Sequence, residues 1–270
     1  MLWNAKNGQV ALDGTGMSYV SFGRGEKTLV ILPGLSDGLA TVRGKALLLA
    51  KPYAPYLGRY TVCMFSRKDD MPEGYSIREM ADDQAKAMKA LGIGSACVMG
   101  VSQGGMIAQR LAIQHPGMVE KLVIAVSAPE VNDTIRNNVT QWISLAEAGD
   151  HRSLMIDSAE KSYSEKHLKK YRMMYPLLGH LGKPANYHRF LVNAASILSF
   201  SATEEMGKIT CPALVIGGSD DRIVGIGASR AIHERIPGSA MHVYPGLGHA
   251  AYEEAKDFNR RVFRFLDGQG

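Results

Sequence analysis

The chain has 270 residues, 46% of them hydrophobic and 21% charged, with 29 Gly and 11 Pro. That composition excludes a disordered or fibrous polymer, and a fold of this length buries roughly 75% of its unfolded surface, so its core requires no metal or disulfide staple. The formal net charge of +5 permits acidic partners, but Lys and Arg are interspersed with Asp and Glu, so no nucleic-acid partner is expected.

The opening Met1-Leu2-Trp3-Asn4-Ala5-Lys6 lacks a continuous apolar leader segment, and no stretch reaches the roughly 18 apolar residues of a spanning helix. The expectation is a cytoplasmic protein without membrane insertion. Cys63, Cys97 and Cys211 form no CxxC and lie in or beside apolar runs, as buried thiols in a reducing compartment do. The triplets at Asn132 and Asn138 read as chance matches to a glycosylation signal.

Two runs, near Gln9 to Leu12 and Met17 to Phe22, predict an antiparallel hairpin. Near-continuous apolar runs follow at Thr28 to Leu32, Tyr60 to Phe65, Ala96 to Met99, Lys121 to Val126 and Ala213 to Ile216, the pattern of strands covered on both faces. Between the second and third, Ile77, Met80, Ala81, Gln84, Ala85, Met88 and Leu91 recur at helical spacing. Ser76 with Glu79 supplies a capping box and Gly92 a stop, predicting a helix over 77–91. Alternating strands and helices imply right-handed crossovers and a mainly parallel sheet.

From about Glu130 to Met206 the strands disappear. Helical patterns replace them at Ile135, Val139, Trp142 and Ala146, at Leu168, Tyr171 and Met174, and at Tyr187, Leu191, Ala194 and Leu198. An all-helical insertion, residues 130–206, is thus expected between core segments 1–129 and 207–270, capping the carboxyl edge of the sheet where ligands bind.

The run ending at Met99 leads into Gly100-Val101-Ser102-Gln103-Gly104-Gly105 and then a helical pattern. A turn driving straight from strand to helix strains Ser102 and needs residues without β-carbons at Gly100 and Gly104, where its two arms meet. A serine hydroxyl attacks only when a base removes its proton and a carboxylate orients that base. Downstream, Asp220 and Asp221 follow the Ala213 to Ile216 run, and His249 follows a further predicted strand, Ala240 to Tyr244, and leads into a final helix. The order Ser, Asp, His is that of the nucleophile-elbow enzymes.

Along almost its whole length the chain resembles the α/β-hydrolase superfamily, on Leu32-Pro33-Gly34-Leu35, Gly100 to Gly105, Gly218-Ser219-Asp220-Asp221-Arg222-Ile223-Val224 and Gly246-Leu247-Gly248-His249. The resemblance implies an α/β-hydrolase fold, with a mostly parallel eight-stranded sheet flanked by helices and an inserted helical cap as in capped lactonases, carboxylesterases and carbon-carbon bond hydrolases. It assigns Ser102 as nucleophile, His249 as general acid and base, and Asp221 as orienting acid, with Asp220 as competitor. It gives the oxyanion hole to the backbone N–H groups of Leu35 and Gln103. Two positions depart from the family: Pro33-Gly34 replaces His-Gly, removing a brace of the oxyanion loop, and Gly225 stands where Pro is usual. Serine at 102 rather than aspartate argues against haloalkane dehalogenases and epoxide hydrolases.

The implied activity is hydrolysis of a small to medium, largely hydrophobic ester, lactone or thioester by a monomer or homodimer, with no cofactor or metal. A carbon-carbon bond hydrolase or lyase on the same triad is the alternative among enzymes, and a small-molecule receptor is the alternative of another class. The remaining histidines, His115, His151, His167, His180, His188, His233 and His242, lack metal-ligand spacing and read as surface, cap or packing residues. Met155, Met173, Met174 and Met206 read as core filling. Lys166, Lys169, Lys170 and Arg172 read as a solvated helix face, with Glu160 and Glu165 nearby. There is no P-loop, and no Gly-x-Gly-x-x-Gly follows a strand.

Overall fold

The computed structural model describes residues 2–180 and 182–268; Met1, Leu181, Gln269 and Gly270, at the start, inside and at the end of the expected segments, lie outside the described residues. Strands β1 (Lys6–Leu12) and β2 (Thr15–Gly23) form the expected antiparallel hairpin. They turn through Asp13 and Gly14, both at positive φ, as a two-residue connection matched to strand twist requires.

The chain continues through β3 (Lys27–Leu32), α1 (Ala46–Ala50), β4 (Tyr60–Lys68), α2 (Ile77–Ala90), β5 (Ala96–Val101), α3 (Gln103–Gln114) and β6 (Val119–Ala125). Among the described residues five α-helices follow: α4 (Asp133–Glu147), α5 (His151–Ser162), α6 (Glu165–Tyr171), α7 (Tyr175–Leu178) and α8 (His188–Leu198). The core pattern resumes with β7 (Ala213–Gly218), α9 (Ile226–Arg235), β8 (Ala240–Tyr244), α10 (Ala251–Glu254) and α11 (Phe258–Asp267).

One eight-stranded sheet runs in the order β1-β2-β4-β3-β5-β6-β7-β8. It is antiparallel through β1, β2 and β4 and parallel from there to β8. Alternate residues of each central strand enter different cores. Val30, Val98, Leu122, Ile124 and Val215 pack with α2 and α3, whereas Leu29, Ile31, Met99, Val123 and Ile216 pack with α1 and α11. Burial of both faces is why these strands read as unbroken apolar runs.

Helix α2 begins at the predicted capping box, Ser76 Oγ accepting from the Glu79 N–H while the Glu79 carboxylate accepts from the Ser76 N–H. It ends one residue before the expected 91, with Leu91 as its cap. Strand β4 runs three residues beyond the expected Phe65, through Ser66, Arg67 and Lys68, which are polar yet buried.

The insertion holds two helices that periodicity did not predict. In α5 only His151 and Leu154 are buried, so no apolar stripe marks it; α7 spans a single turn. Glu130 and Ser201 pair as an antiparallel bridge at the base of the insertion. The core-filling expectation fails for Met173 and Met174, which are exposed in the turn after α6, and holds for Met206, which is fully buried. Cys211 is half-buried rather than buried, because it lies in the bend before Pro212 and not inside β7. Among the described residues no helix is long and apolar enough to cross a membrane.

Two glycines control how β5 meets α3. A Cβ at Gly104 would stand 2.0 Å from the Leu32 carbonyl oxygen, and one at Gly100 would stand 2.3 Å from that of Gly104. Both collisions are with backbone, which cannot rotate away. Gly104→Ala is therefore expected to destabilise the fold by about 3 kcal/mol or more, whereas Gly117→Ala, with nothing within 4 Å of its Cβ, stays within about 0.5 kcal/mol. Urea denaturation midpoints check this; equal midpoints would refute the packing argument.

Candidate active site

The turn between β5 and α3 holds Ser102 at φ 54°, ψ −121°, a left-handed backbone that costs a non-glycine residue about 1–3 kcal/mol. Its surroundings enforce it. The Ser102 N–H donates to the Ala125 carbonyl at 2.9 Å, and its carbonyl accepts from the Gly105 N–H at 2.8 Å and Ser127 Oγ at 2.8 Å. The side chain stands at the N-terminus of α3, where backbone dipoles favour negative charge.

His249 follows β8 and is buried, with its Nε2 2.9 Å from Ser102 Oγ. Its Nδ1 lies 2.8 Å from Asp221 Oδ2. A carboxylate at Nδ1 selects the tautomer protonated there, leaving Nε2 to accept the serine proton. The other Asp221 oxygen accepts from the Ile223 and Val224 N–H groups at 2.8 and 3.0 Å. Burial pushes the Asp221 carboxyl up, but His249 and these backbone donors outweigh it and hold the group below the ordinary carboxylate range.

Asp220 is exposed and accepts from Ser219 Oγ at 2.6 Å. The N-cap of α9 is Gly225. Gly225 has φ 80°, which proline's ring forbids, and this accounts for the departure at that position.

The histidine loop is packed backbone to backbone. Asp220 N–H donates to the Leu247 carbonyl at 2.9 Å, and Ala250 N–H donates to the Ser162 carbonyl at the end of α5, also at 2.9 Å. A Cβ at Gly218 would lie 2.3 Å from the Gly248 carbonyl oxygen. On the other side of Ser102, a Cβ at Gly34 would lie 3.3 Å from Ser102 Cβ, so the loop after β3 passes directly over the serine. Among the described residues neither the Leu35 nor the Gln103 N–H has an acceptor, and each is available to an incoming oxygen.

A cavity of about 160 Å³ opens above Ser102 and His249. Trp142, Leu154, Met155 and Phe190 of the insertion wall it, with Leu39, Ile223 and Tyr252 from the core. Its lining also includes the hydroxyl-bearing residues Ser36, Ser158 and Ser162, and among the described residues no Lys, Arg, Asp or Glu lines it. Of these wall residues Trp142, Met155 and Ile223 stood out in the sequence, as members of a helical pattern, a methionine set and the motif around Asp221. The others carry no local signal, since the fold gathers them from distant segments.

Three of the remaining histidines take the expected packing and surface roles. His115 bonds Asp82, His188 the Met71 carbonyl and His233 the Ser239 hydroxyl. Arg172 pairs with Glu160 and Glu165 on the exposed cap face. Sequence reading missed Asp37, Arg67 and Arg189, which are joined below the cavity. Asp37 Oδ2 lies 2.7 Å from Arg189 Nη2 and 3.8 Å from Arg67 Nη1. The available signal was the Arg-Lys pair closing an otherwise apolar strand.

The chain matches the family described as alpha/beta hydrolase fold over residues 27–256. It is 26% identical over 268 residues to 2-hydroxy-6-oxononadienedioate/2-hydroxy-6-oxononatrienedioate hydrolase 1 of Dechloromonas aromatica (strain RCB), covering 93% of this chain and 90% of that protein. It is 27% identical over 181 residues to the pimeloyl-(acyl-carrier protein) methyl ester esterase of Chromobacterium violaceum, covering 64% of this chain and 70% of the relative. Among solved structures it is similar to MGS-M2, an alpha/beta hydrolase enzyme from a Medee basin deep-sea metagenome library, with TM-score 0.84 at 18% identity over 97% of this chain and 98% of the other. The strained serine between β5 and α3, the parallel sheet, the helical cap and the family match over most of the length together place this chain in the alpha/beta hydrolase fold family, as an enzyme of that family.

Proposed function

We propose that the protein is a serine hydrolase that cleaves a small, uncharged, largely hydrophobic ester, lactone or thioester beneath a cap formed by residues 130–206. The observation that carries this reading is the unbroken line of short contacts from Ser102 Oγ through His249 to Asp221, 2.9 and 2.8 Å. In this reading His249 Nε2 takes the Ser102 proton as Oγ attacks the acyl carbon, and Asp221 stabilises the imidazolium. The Leu35 and Gln103 N–H groups receive the developing oxyanion. His249 then returns the proton to the leaving alcohol or thiol, and activates water to hydrolyse the acyl-enzyme.

The cavity supports a restricted substrate class. A closed apolar cavity of about 150 Å³ holds a benzene-sized guest, so about 160 Å³ suits a short acyl group. The relatives include a hydrolase named for a dienedioate, a substrate with two carboxylates. A wall without Lys or Arg among the described residues gives such a dianion no partner, which favours neutral esters over that carbon-carbon bond chemistry.

A fluorophosphonate probe is expected to label the wild-type chain and not Ser102→Ala; an intact fold without labelling would favour a receptor instead. Asp221→Asn is expected to lower kcat by about 10⁴-fold through loss of the imidazolium partner and tautomer, and Asp220→Asn to leave it within about twofold. Steady-state ester hydrolysis distinguishes them, and the reverse ranking would transfer the role to Asp220. Across p-nitrophenyl acetate, butyrate, octanoate and decanoate, kcat/KM is expected to fall steeply beyond the shorter acyl groups. A maximum at decanoate would contradict the cavity size as the determinant.

A further inference from the structure

We propose that Arg67 is a positioning residue that fixes both halves of the oxyanion hole at once, with Asp37, Gln103 and Arg189 as its partners. This rests on the serine-hydrolase reading above and extends it to residues that do not touch the substrate.

Arg67 lies one residue before the end of β4 with its side chain almost wholly buried. Its Nη2 donates to Gln103 Oε1 at 2.9 Å, and Gln103 bears one proposed oxyanion donor on its own backbone nitrogen. The Arg67 backbone N–H donates to Asp37 Oδ2 at 2.9 Å, and Asp37 belongs to the 3-10 turn Leu35–Gly38, whose first residue bears the other donor. A single residue therefore ties together two loops that approach Ser102 from opposite sides.

Helix α8 completes the arrangement from the cap. Arg189 Nη2 donates to Asp37 Oδ2 at 2.7 Å and to the Arg67 carbonyl at 2.8 Å, and its Nη1 donates to the Lys68 carbonyl. Gln103 Nε2 donates to the Asn193 carbonyl at 2.7 Å and to Ser196 Oγ at 3.1 Å. The approach is close: a Cβ at Gly38 would stand 2.9 Å from Phe190 Cα.

Oxyanion donors act only when held within about 0.5 Å of the productive geometry by a supporting shell. Here the loop carries Pro33-Gly34, without the histidine side chain that commonly braces it. The Arg67 cluster supplies that brace from behind. Two guanidinium groups share one carboxylate, so the cluster also carries net positive charge behind the donors, the sign that favours an oxyanion. Buried ion pairs add little to stability relative to apolar packing, which leaves position as what this one contributes.

The test compares wild type, Gln103→Met and Arg189→Lys with Leu266→Ala, a core truncation in α11 remote from the site. The assays are steady-state p-nitrophenyl acetate hydrolysis across pH, with Ser102→Ala as blank, and thermal melting. Gln103→Met keeps the backbone donor and the side-chain length but removes every side-chain hydrogen bond. Expected are a kcat loss of about tenfold or more in both Gln103→Met and Arg189→Lys, KM within twofold, and an unchanged midpoint for the acid limb of the rate profile. Full loss of one donor sets the upper scale at about 10²–10³. Leu266→Ala should melt at least as early while keeping kcat within twofold. If Gln103→Met does not fold, Arg189→Lys carries the comparison alone. The proposal is overturned if the network variants lose no more kcat than Leu266→Ala, or if their loss is in KM. Absence of Ser102-dependent turnover in wild type would overturn the hydrolase reading together with it, whereas wild-type turnover with insensitive network variants overturns this inference alone.

Discussion

The arrangement of the site depends on one contact between bare backbones, where the Gly104 Cα of α3 closes on the Leu32 carbonyl at the end of β3. No side chain fits between them, so β5 must turn into α3 within a single residue, and Ser102 must take the positive φ that this turn demands. The strain is offset locally, because the Ser102 backbone is bonded on both sides, to Ala125, Gly105 and Ser127. The conformation is thereby fixed before any substrate arrives. In the serine-hydrolase reading proposed above, a hydroxyl that needs no rearrangement to project has less reorganisation to undergo during catalysis.

The parallel sheet then does the gathering. Strands β5, β7 and β8 all end at the same edge, so Ser102, Asp221 and His249 converge although Ser102 and His249 are 147 positions apart in sequence. Register alone would leave the loops free to drift. What narrows them is again backbone against backbone, with Gly218 of β7 set against the Leu247 and Gly248 carbonyls. The Ser162 carbonyl of α5 accepts from the Ala250 N–H on the far side, so the histidine loop is held between core and cap.

Much of this was legible in the sequence for a physical reason. Strands buried on both faces leave continuous apolar runs, and glycines at a strand-to-helix turn mark where chains touch, so the sheet, α2 and the Ser102 turn could be read directly. Helix α5 could not, because it packs on a partly exposed cap through few residues and carries no apolar stripe. Residues 66–68 of β4 were missed for the opposite reason: they are buried, but as a serine, an arginine and a lysine whose compensating partners lie elsewhere in the chain. Arg67 meets Asp37 30 positions earlier and Gln103 36 positions later, and no local periodicity records such a pairing. The Asp220 and Asp221 ambiguity had the same character, since only the fold determines which carboxylate turns inward.

The cap is not a uniform cover. Its α6 and the turn that follows face solvent with Lys169, Lys170 and Met173, whereas α8 is packed into the core through Phe190, Asn193, Ala194 and Ile197. Phe190 walls the cavity, and the preceding Arg189 bonds Asp37 below it. Pocket size and the position of the Leu35–Gly38 turn are thus set by adjacent residues of one helical turn, pointing to different sides. A substitution at Phe190 that preserves the helix backbone alters the space above Ser102. One that shifts that backbone also pulls on Asp37, because Gly38 leaves no slack between the turn and the helix. In the hydrolase reading proposed above, selectivity and rate are mechanically coupled at this point, and the coupling runs through a close-packed interior that transmits small displacements.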